Sequence, residues 1–126
     1  MFHKRLLTLA FIFGLGIIGC ATTHMTKMDS ETRQPTTNVD IYTDKASVKV
    51  PYKEIAILNA EGGAYASPEK VMNSLIKKAK KIGANAIIYG GQGSKTNMST
   101  LGGGLSANTV NTAAAIAIVY LNETPK

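Results

Sequence analysis

Residues 52–91 limit the folds open to this chain most strongly, because they contain a helix with clear ends between two apolar runs. Ser67, Pro68 and Glu69 form a typical helix start, with a capping hydroxyl, a proline that suits the first turn and an acid near the positive helix end. Gly83 suits the left-handed position just past the helix. One apolar arc lies between these ends: Val71, Met72, Leu75, Ile76, Ala79 and Ile82. The pattern predicts an amphipathic helix that covers a sheet.

The apolar runs beside the helix predict buried strands. Residues 53–61 and 85–89 have few polar breaks, which is typical of central strands. Strand, helix and strand in this order indicate a right-handed βαβ crossover with parallel strands. The alternation at 39–42 and the apolar run at 113–121 predict a first and a last strand, although the alanines of the last run leave a helix open. The predicted fold class is α+β, a small mixed β-sheet with one amphipathic helix packed on one face.

The N-terminus has the pattern of an export signal. Residues 3–5 are basic or histidine, residues 6–18 are almost entirely apolar, and Gly19 then precedes the only cysteine, Cys20. As a helix the apolar segment covers roughly 20 Å, short of the ~30 Å hydrocarbon core of a bilayer. It resembles a bacterial lipoprotein signal, in which the cysteine sulfur receives diacylglycerol before cleavage. The resemblance implies that residues 1–19 are a cleaved signal peptide and that Cys20 carries lipid. The alternative is an uncleaved anchor with an incidental cysteine.

The rest of the chain divides into a tether, one domain and a short tail. Residues 20–38 are polar and rich in threonine, which predicts a flexible tether that starts at the lipidated cysteine. Residues 39–122 are predicted to form a single α+β domain, followed by a tail at 123–126. Residues 90–112 contain six glycines and are predicted to be a glycine-rich loop. Because so long a loop is unusual, it is either mobile and makes contacts or contains an extra hairpin around 98–105.

The scarcity of cysteine and histidine restricts the chemistry. With Cys20 lipidated, neither a disulfide nor a thiolate metal site is expected. His24 is the only histidine after the leader and lies in the predicted tether, so a histidine-based triad, base or zinc site in the domain is not expected. Glu54 and Glu61 are seven residues apart on one predicted strand, and that odd spacing predicts opposite faces. We therefore expect no catalytic residue, metal or cofactor, and no enzyme; a hydrolase with an unrecognised carboxylate site is the alternative.

The lysines of the helix are the remaining candidate binding surface. Removal of Lys4 and Arg5 with the leader leaves 12 basic and 8 acidic residues, a net charge of +4. Lys70, Lys77 and Lys81 cluster opposite the apolar arc. Their plain interpretation is a solvated face. The functional one is an electropositive strip for lipid headgroups, an anionic envelope polymer or an acidic envelope protein. Nucleic acid is not an expected partner in this compartment.

A second resemblance rests on three segments within residues 52–88. Tyr52-Lys53-Glu54-Ile55-Ala56, Ala79-Lys80-Lys81-Ile82-Gly83 and Ala84-Asn85-Ala86-Ile87-Ile88 together resemble small bacterial lipoproteins and YbjQ-like domains. The domain of the outer-membrane stress-sensor lipoprotein of the Rcs pathway is similar. The resemblance implies a compact α+β domain on a lipid tether. The chain departs from the Rcs sensor because it lacks the cysteines that form that protein's disulfides.

The sequence thus predicts a non-enzymatic, lipid-anchored lipoprotein of the bacterial envelope with a small binding or structural domain. Ala21 stands where an aspartate would signal retention, which favours the outer membrane, facing the periplasm. Envelope stress sensing through a protein partner is the alternative function. The oligomeric state stays open, with self-association through an unpaired edge strand such as 39–42 as one possibility.

Overall fold

The structure is a computed structural model that describes residues 20–63 and 65–121. The predicted signal peptide at 1–19 and the tail at 123–126 lie outside these residues. A five-stranded mixed sheet with one helix confirms the predicted α+β class. The elements are β1 (Ala21–Lys27), β2 (Asp40–Tyr42), a 3-10 turn (Lys45–Ser47), β3 (Tyr52–Gly62), α1 (Pro68–Lys81), β4 (Ala86–Leu101) and β5 (Gly104–Tyr120). In the described part of the chain, no helix has the length and apolar character needed to cross a membrane.

The helix begins and ends where its capping residues predict. The Ser67 hydroxyl accepts a hydrogen bond from the Lys70 backbone N–H at 3.3 Å, and Pro68 occupies the first turn. Gly83 follows the last turn with a φ of 77°, a left-handed conformation that favours glycine. The helix buries Val71, Leu75 and Ala79 completely. The predicted amphipathic helix is therefore confirmed.

The C-terminal strand occupies the centre of the sheet, whose strand order is β1-β3-β5-β4-β2. Strand β5 pairs antiparallel with both β3 and β4, and β2 pairs parallel with β4. The two strands that α1 connects therefore run in the same direction but are separated by β5. The β5 residues facing the helix are the small, buried Ala113, Ala115 and Ala117, which let the helix approach the sheet closely.

Two apolar clusters lie on opposite faces of the sheet. The larger cluster packs α1 against β3 and β5 through residues such as Leu58, Leu75 and Ile87. The smaller cluster lies on the other face, where Val48 covers Ile88 and Ile118 near one end of the sheet. The remaining part of this second face is open, and Ile57 there is 39% exposed. Only one face of the sheet is thus fully covered.

The predicted tether at 20–38 is not flexible, and this prediction is wrong. Residues 21–27 form β1, which pairs antiparallel with β3 from Ala21 opposite Gly62 to Lys27 opposite Ala56. Alternate side chains of β1 are half-buried. Its threonines suit a strand, since β-branched residues pack well on a pleated surface. The chain after β1 also packs, because the Thr36 N–H donates to the Lys80 carbonyl at 2.9 Å.

The predicted glycine-rich loop at 90–112 is wrong as well, and the alternative of an extra hairpin is confirmed. Strands β4 and β5 pair continuously from Ala86 opposite Ile118 to Leu101 opposite Gly104. The turn between them consists of Gly102 and Gly103, with φ values of 66° and 81°. Positive φ at both central residues is what a type I′ hairpin turn requires. The glycines therefore specify a tight turn.

Candidate functional site

The predicted lipidation site, Cys20, lies at one end of the sheet. It is exposed and directly precedes β1, and its carbonyl oxygen accepts a hydrogen bond from the Gly63 N–H at 2.8 Å. The start of α1 is close by, because a Cβ atom on Gly62 would lie 2.7 Å from the Ala66 Cβ. We call this region, formed by Cys20, Gly62, Gly63 and Ala66, the anchor end. A lipid on Cys20 would hold the anchor end at the bilayer, with no tether between the lipid and the folded domain.

The three predicted lysines lie along α1 and point to solvent. Lys70, Lys77 and Lys81 are all exposed. Eleven residues of helix separate the first from the last, which corresponds to roughly 16 Å. Since α1 starts at the anchor end, the strip runs away from it. The structure does not gather these lysines into one pocket, and only Lys81 borders a groove.

That groove has a volume of about 230 Å³ and lies at the end of α1 that is remote from Cys20. We call it the distal groove. Its base is apolar and its rim is charged, a combination that suits an amphiphilic or partly apolar anionic ligand. Its lining residues are Met25, Lys27, Asp29, Glu31, Thr32, Arg33, Ile55, Ala56, Lys78, Lys81 and Ile82. The sequence analysis missed this site because half of it comes from the predicted tether.

The acidic side chains of the distal groove already have partners. Asp29 accepts hydrogen bonds from the Arg33 guanidinium at 2.6 and 3.1 Å and faces the Lys53 ammonium at 3.2 Å. The hydrogen bond from Arg33, helped by Lys53, lowers the pKa of Asp29 to about 2. Arg33 also pairs with Glu31. In contrast, none of the ion pairs found among the described residues includes the groove lysines, namely Lys27, Lys78 and Lys81. The rim therefore offers positive charge to an outside anion.

The open sheet face holds a second groove of about 400 Å³, bordered by His24, Asn59 and Glu61. His24 lies in β1 opposite Asn59, which corrects the expectation that it belongs to a tether away from the domain. Glu54 and Glu61 face the same side, because a bulge between Glu54 and Ala56 shifts the register. The prediction of opposite faces is thus wrong. The two acids nevertheless lie roughly 20 Å apart along β3, too far for a pair of hydrolytic carboxylates.

A hydrogen-bonded tyrosine pair connects β2 to β5 at the far end of the sheet from Cys20. The Tyr120 hydroxyl donates to the Asp40 carboxylate at 2.7 Å and lies 2.9 Å from the Tyr42 hydroxyl. Burial, together with these hydrogen bonds, raises the pKa of Tyr120. The pair has the geometry of a structural link between strands that are not adjacent. The sequence contains no signal that would have brought these residues together.

The β4–β5 hairpin projects past the anchor end. Pairing between β3 and β5 ends at Thr112 of β5. Between Thr112 and the hairpin turn, β4 and β5 pair only with each other. We call residues 94–111 the arm. Every described side chain from 94 to 109 is exposed, including Met98 at 71% and Leu105 at 76%. The Asn111 amide fixes the base of the arm by donating to the Ala66 carbonyl at 2.9 Å.

No metal-binding cluster of three or more histidine, cysteine or acidic residues is present in residues 20–63 and 65–121. Comparison with protein-family models, with curated proteins and with solved structures finds no match to this chain. The resemblance to YbjQ-like domains and to the Rcs sensor stays a prediction from residues 52–88. The function must therefore be inferred from the anchor end, the distal groove and the arm.

Proposed function

We propose that the chain is a non-enzymatic, lipid-anchored lipoprotein of the bacterial envelope, held in the outer membrane through Cys20 and facing the periplasm. The observation that supports it best is the position of Cys20, which is exposed and starts the folded domain directly at one end of the sheet. A lipid at this point would orient the domain. The anchor end and the arm that projects from it would lie on the membrane side of the domain, and the distal groove would face away from the bilayer.

The proposed role of the domain is to bind an anionic envelope polymer in the distal groove. Strand β1 runs along β3 from Ala21, opposite Gly62, to Lys27, opposite Ala56, so Lys27 lies roughly 20–25 Å from the anchor end. Lys81 lies at the same remote end of α1. This distance exceeds the Debye length of about 8 Å at physiological salt, so headgroups of the anchoring membrane interact weakly with these lysines. An anionic polymer, or an acidic segment of an envelope protein, reaches them without that restriction.

Envelope stress signalling remains the second candidate, and the arm is the observation that favours it. A long, exposed hairpin suits contact with another protein, as a signalling lipoprotein would need. The two candidates differ in the surface used: the distal groove for polymer binding and the arm for a partner protein.

The anchor is tested by mass spectrometry of the N-terminal peptide from membranes of cells that express the whole chain. We expect a peptide that begins at Cys20 and carries the mass of a diacylglyceryl group. Because acylation precedes cleavage, Cys20→Ala, which has no sulfur to acylate, should keep residues 1–19 and carry no diacylglyceryl mass. A Cys20 peptide of unmodified mass, or a chain that still begins at Met1, would overturn the anchoring proposal.

Polymer binding is tested by co-sedimentation of the protein with isolated cell-wall sacculi. We expect Lys81→Gln to weaken binding and Lys49→Gln, which removes one charge from an exposed lysine away from the groove, to leave it unchanged. Binding of the wild-type chain should fall as salt rises, since exposed charges are screened. Equal loss in the groove and control variants would indicate binding by net charge alone and would contradict a role for the groove.

A further inference from the structure

The arm leaves two long strand edges without a partner in the described structure. On one side, β2 pairs only with Ala86–Ile88 of β4, so the outer edge of β4 is unpaired from residue 89 to residue 101. On the other side, β3 pairs with β5 only as far as Thr112, which leaves residues 104–111 unpaired at their outer edge. Unpaired backbone N–H and carbonyl groups in a row are a template for another strand.

The arm also buries almost nothing within one chain. An isolated two-stranded hairpin is marginally stable in water, because cross-strand pairs alone must offset the entropy of ordering the backbone. The arm extends roughly 25 Å beyond the sheet, with its side chains exposed as far as residue 109. Addition of further strands at its edges would supply the contacts that one chain cannot provide.

The usual protections against edge pairing are absent from the arm. The other exposed edges of the sheet are protected: β2 is only three residues long, and β1 ends in a lysine. The arm contains no proline, and Lys95 is its single charged residue. Lys95 lies near the base, 3.7 Å from the Glu61 carboxylate. Two arms therefore meet without like charges opposite each other, although the chain as a whole is cationic.

We propose that the arm is a self-association element, in which β4 of one copy pairs antiparallel with β5 of a second copy. The arm and Cys20 leave the domain at the same end, so copies anchored in one leaflet point their arms in the same sense, on the membrane side of the domain; this orientation rests on the proposed lipid anchor. Strand β4 runs toward the tip and β5 runs back, and antiparallel pairing between such arms therefore joins β4 to β5. The interface is heterologous and repeats into a ring or a row of copies.

The test is thiol cross-linking of the full chain in membranes. Ser99 and Ser106 lie opposite each other near the tip, one on each strand. Ser99→Cys and Ser106→Cys chains with different tags are expressed alone and together. Oxidation to a disulfide needs Cα atoms within about 7 Å, so it reports directly paired strands and not strands two spacings, or about 10 Å, apart. Thr43→Cys, exposed on the body, is the matched control. The wild-type chain, treated with a maleimide polymer, reports whether the Cys20 sulfur is blocked, so failure of the anchor is seen separately.

We expect the mixed Ser99→Cys and Ser106→Cys sample to give dimers on the order of tenfold above the control, since tethering raises the effective concentration of the arms. Asn97→Lys, which places a charge on the β4 edge, should reduce this cross-link several-fold. Homotypic dimers as abundant as mixed ones would overturn the β4-to-β5 arrangement. A mixed dimer no stronger than the Thr43→Cys control would overturn self-association through the arm.

Discussion

Substitution of Gly83 tests the largest correction to the sequence analysis, which is that residues 28–38 pack on the domain. Gly83 has a φ of 77°, and a Cβ atom added there would lie 2.6 Å from both the Arg33 Cβ and the Gln34 carbonyl oxygen. Gly83→Ala therefore meets two separate obstacles. One is the left-handed backbone, and the other is the packed segment beside it.

The expected loss of stability is about 3 kcal/mol. The left-handed conformation costs a non-glycine residue roughly 1–2 kcal/mol. Displacement of Arg33 and Gln34 would also break the two hydrogen bonds of Thr36, from its N–H to the Lys80 carbonyl and from its hydroxyl to the Ala84 carbonyl. Such bonds contribute about 1 kcal/mol each.

Gly83→Asn is the matched control, because asparagine tolerates the left-handed region but still carries a Cβ atom. Urea unfolding followed by circular dichroism measures both variants against the wild type, with an unchanged m value as the condition for comparing midpoints. If the clash with Arg33 dominates, the Asn variant stays about 2 kcal/mol less stable than wild type. If Gly83→Asn is nearly as stable as the wild type and Gly83→Ala is only mildly destabilised, the packing of residues 28–38 on the domain is refuted. The prediction of a flexible tether would then hold for this segment.

Three further predictions concern the core, the groove and the strand link. Leu75→Ala should lose about 3 kcal/mol because Leu75 of α1 is fully buried against the sheet. Met98→Ala on the exposed arm should stay within about 0.5 kcal/mol in the same urea experiment. The pKa of Asp29 falls from 3.8 to about 2 on folding. The contribution of Asp29 to stability is therefore present above pH 4 and is lost as the pH falls toward 2. Asp29→Asn should flatten this part of the acid-unfolding profile, and an unchanged profile would contradict the Arg33 pairing. Tyr120→Phe removes two hydroxyl hydrogen bonds and should lower the thermal midpoint by an amount equivalent to about 1–2 kcal/mol.

Two regions show why local patterns gave the wrong structure. The threonines of 21–27, at positions 22, 23 and 26, also suit a disordered polar segment. Only pairing with the free edge of β3 makes this segment a strand. The polar residues of 90–112 have no apolar period, so the hairpin depends on the backbone pairing of β4 with β5 and on the turn at Gly102 and Gly103. In both regions the signal lies in a partner strand that is far away in the sequence.

The sites were predictable to different degrees. Cys20 was identified from its own neighbours, and its lipidation stays a prediction. Lys81 was identified as one of a strip on the helix, but the groove beside it also needs Asp29 and Arg33, which pack there only because β1 and the segment after it are ordered. The alignment of Glu54 and Glu61 depends on a bulge that a residue count cannot reveal.

The sequence by itself determined α1, because Ser67, Pro68 and Gly83 act on the backbone within one turn of each helix end, and the apolar arc then sets the buried face. It also predicted strands at 85–89 and 113–121, although the alanines of the second run left a helix open. Only the tertiary structure decided which strands are neighbours: β5 lies between β3 and β4, and β1 pairs with the outer edge of β3. Strands pair through backbone N–H and carbonyl groups, and every residue except proline has both. The sequence therefore specifies that a segment is a strand more readily than it specifies which strand pairs with it.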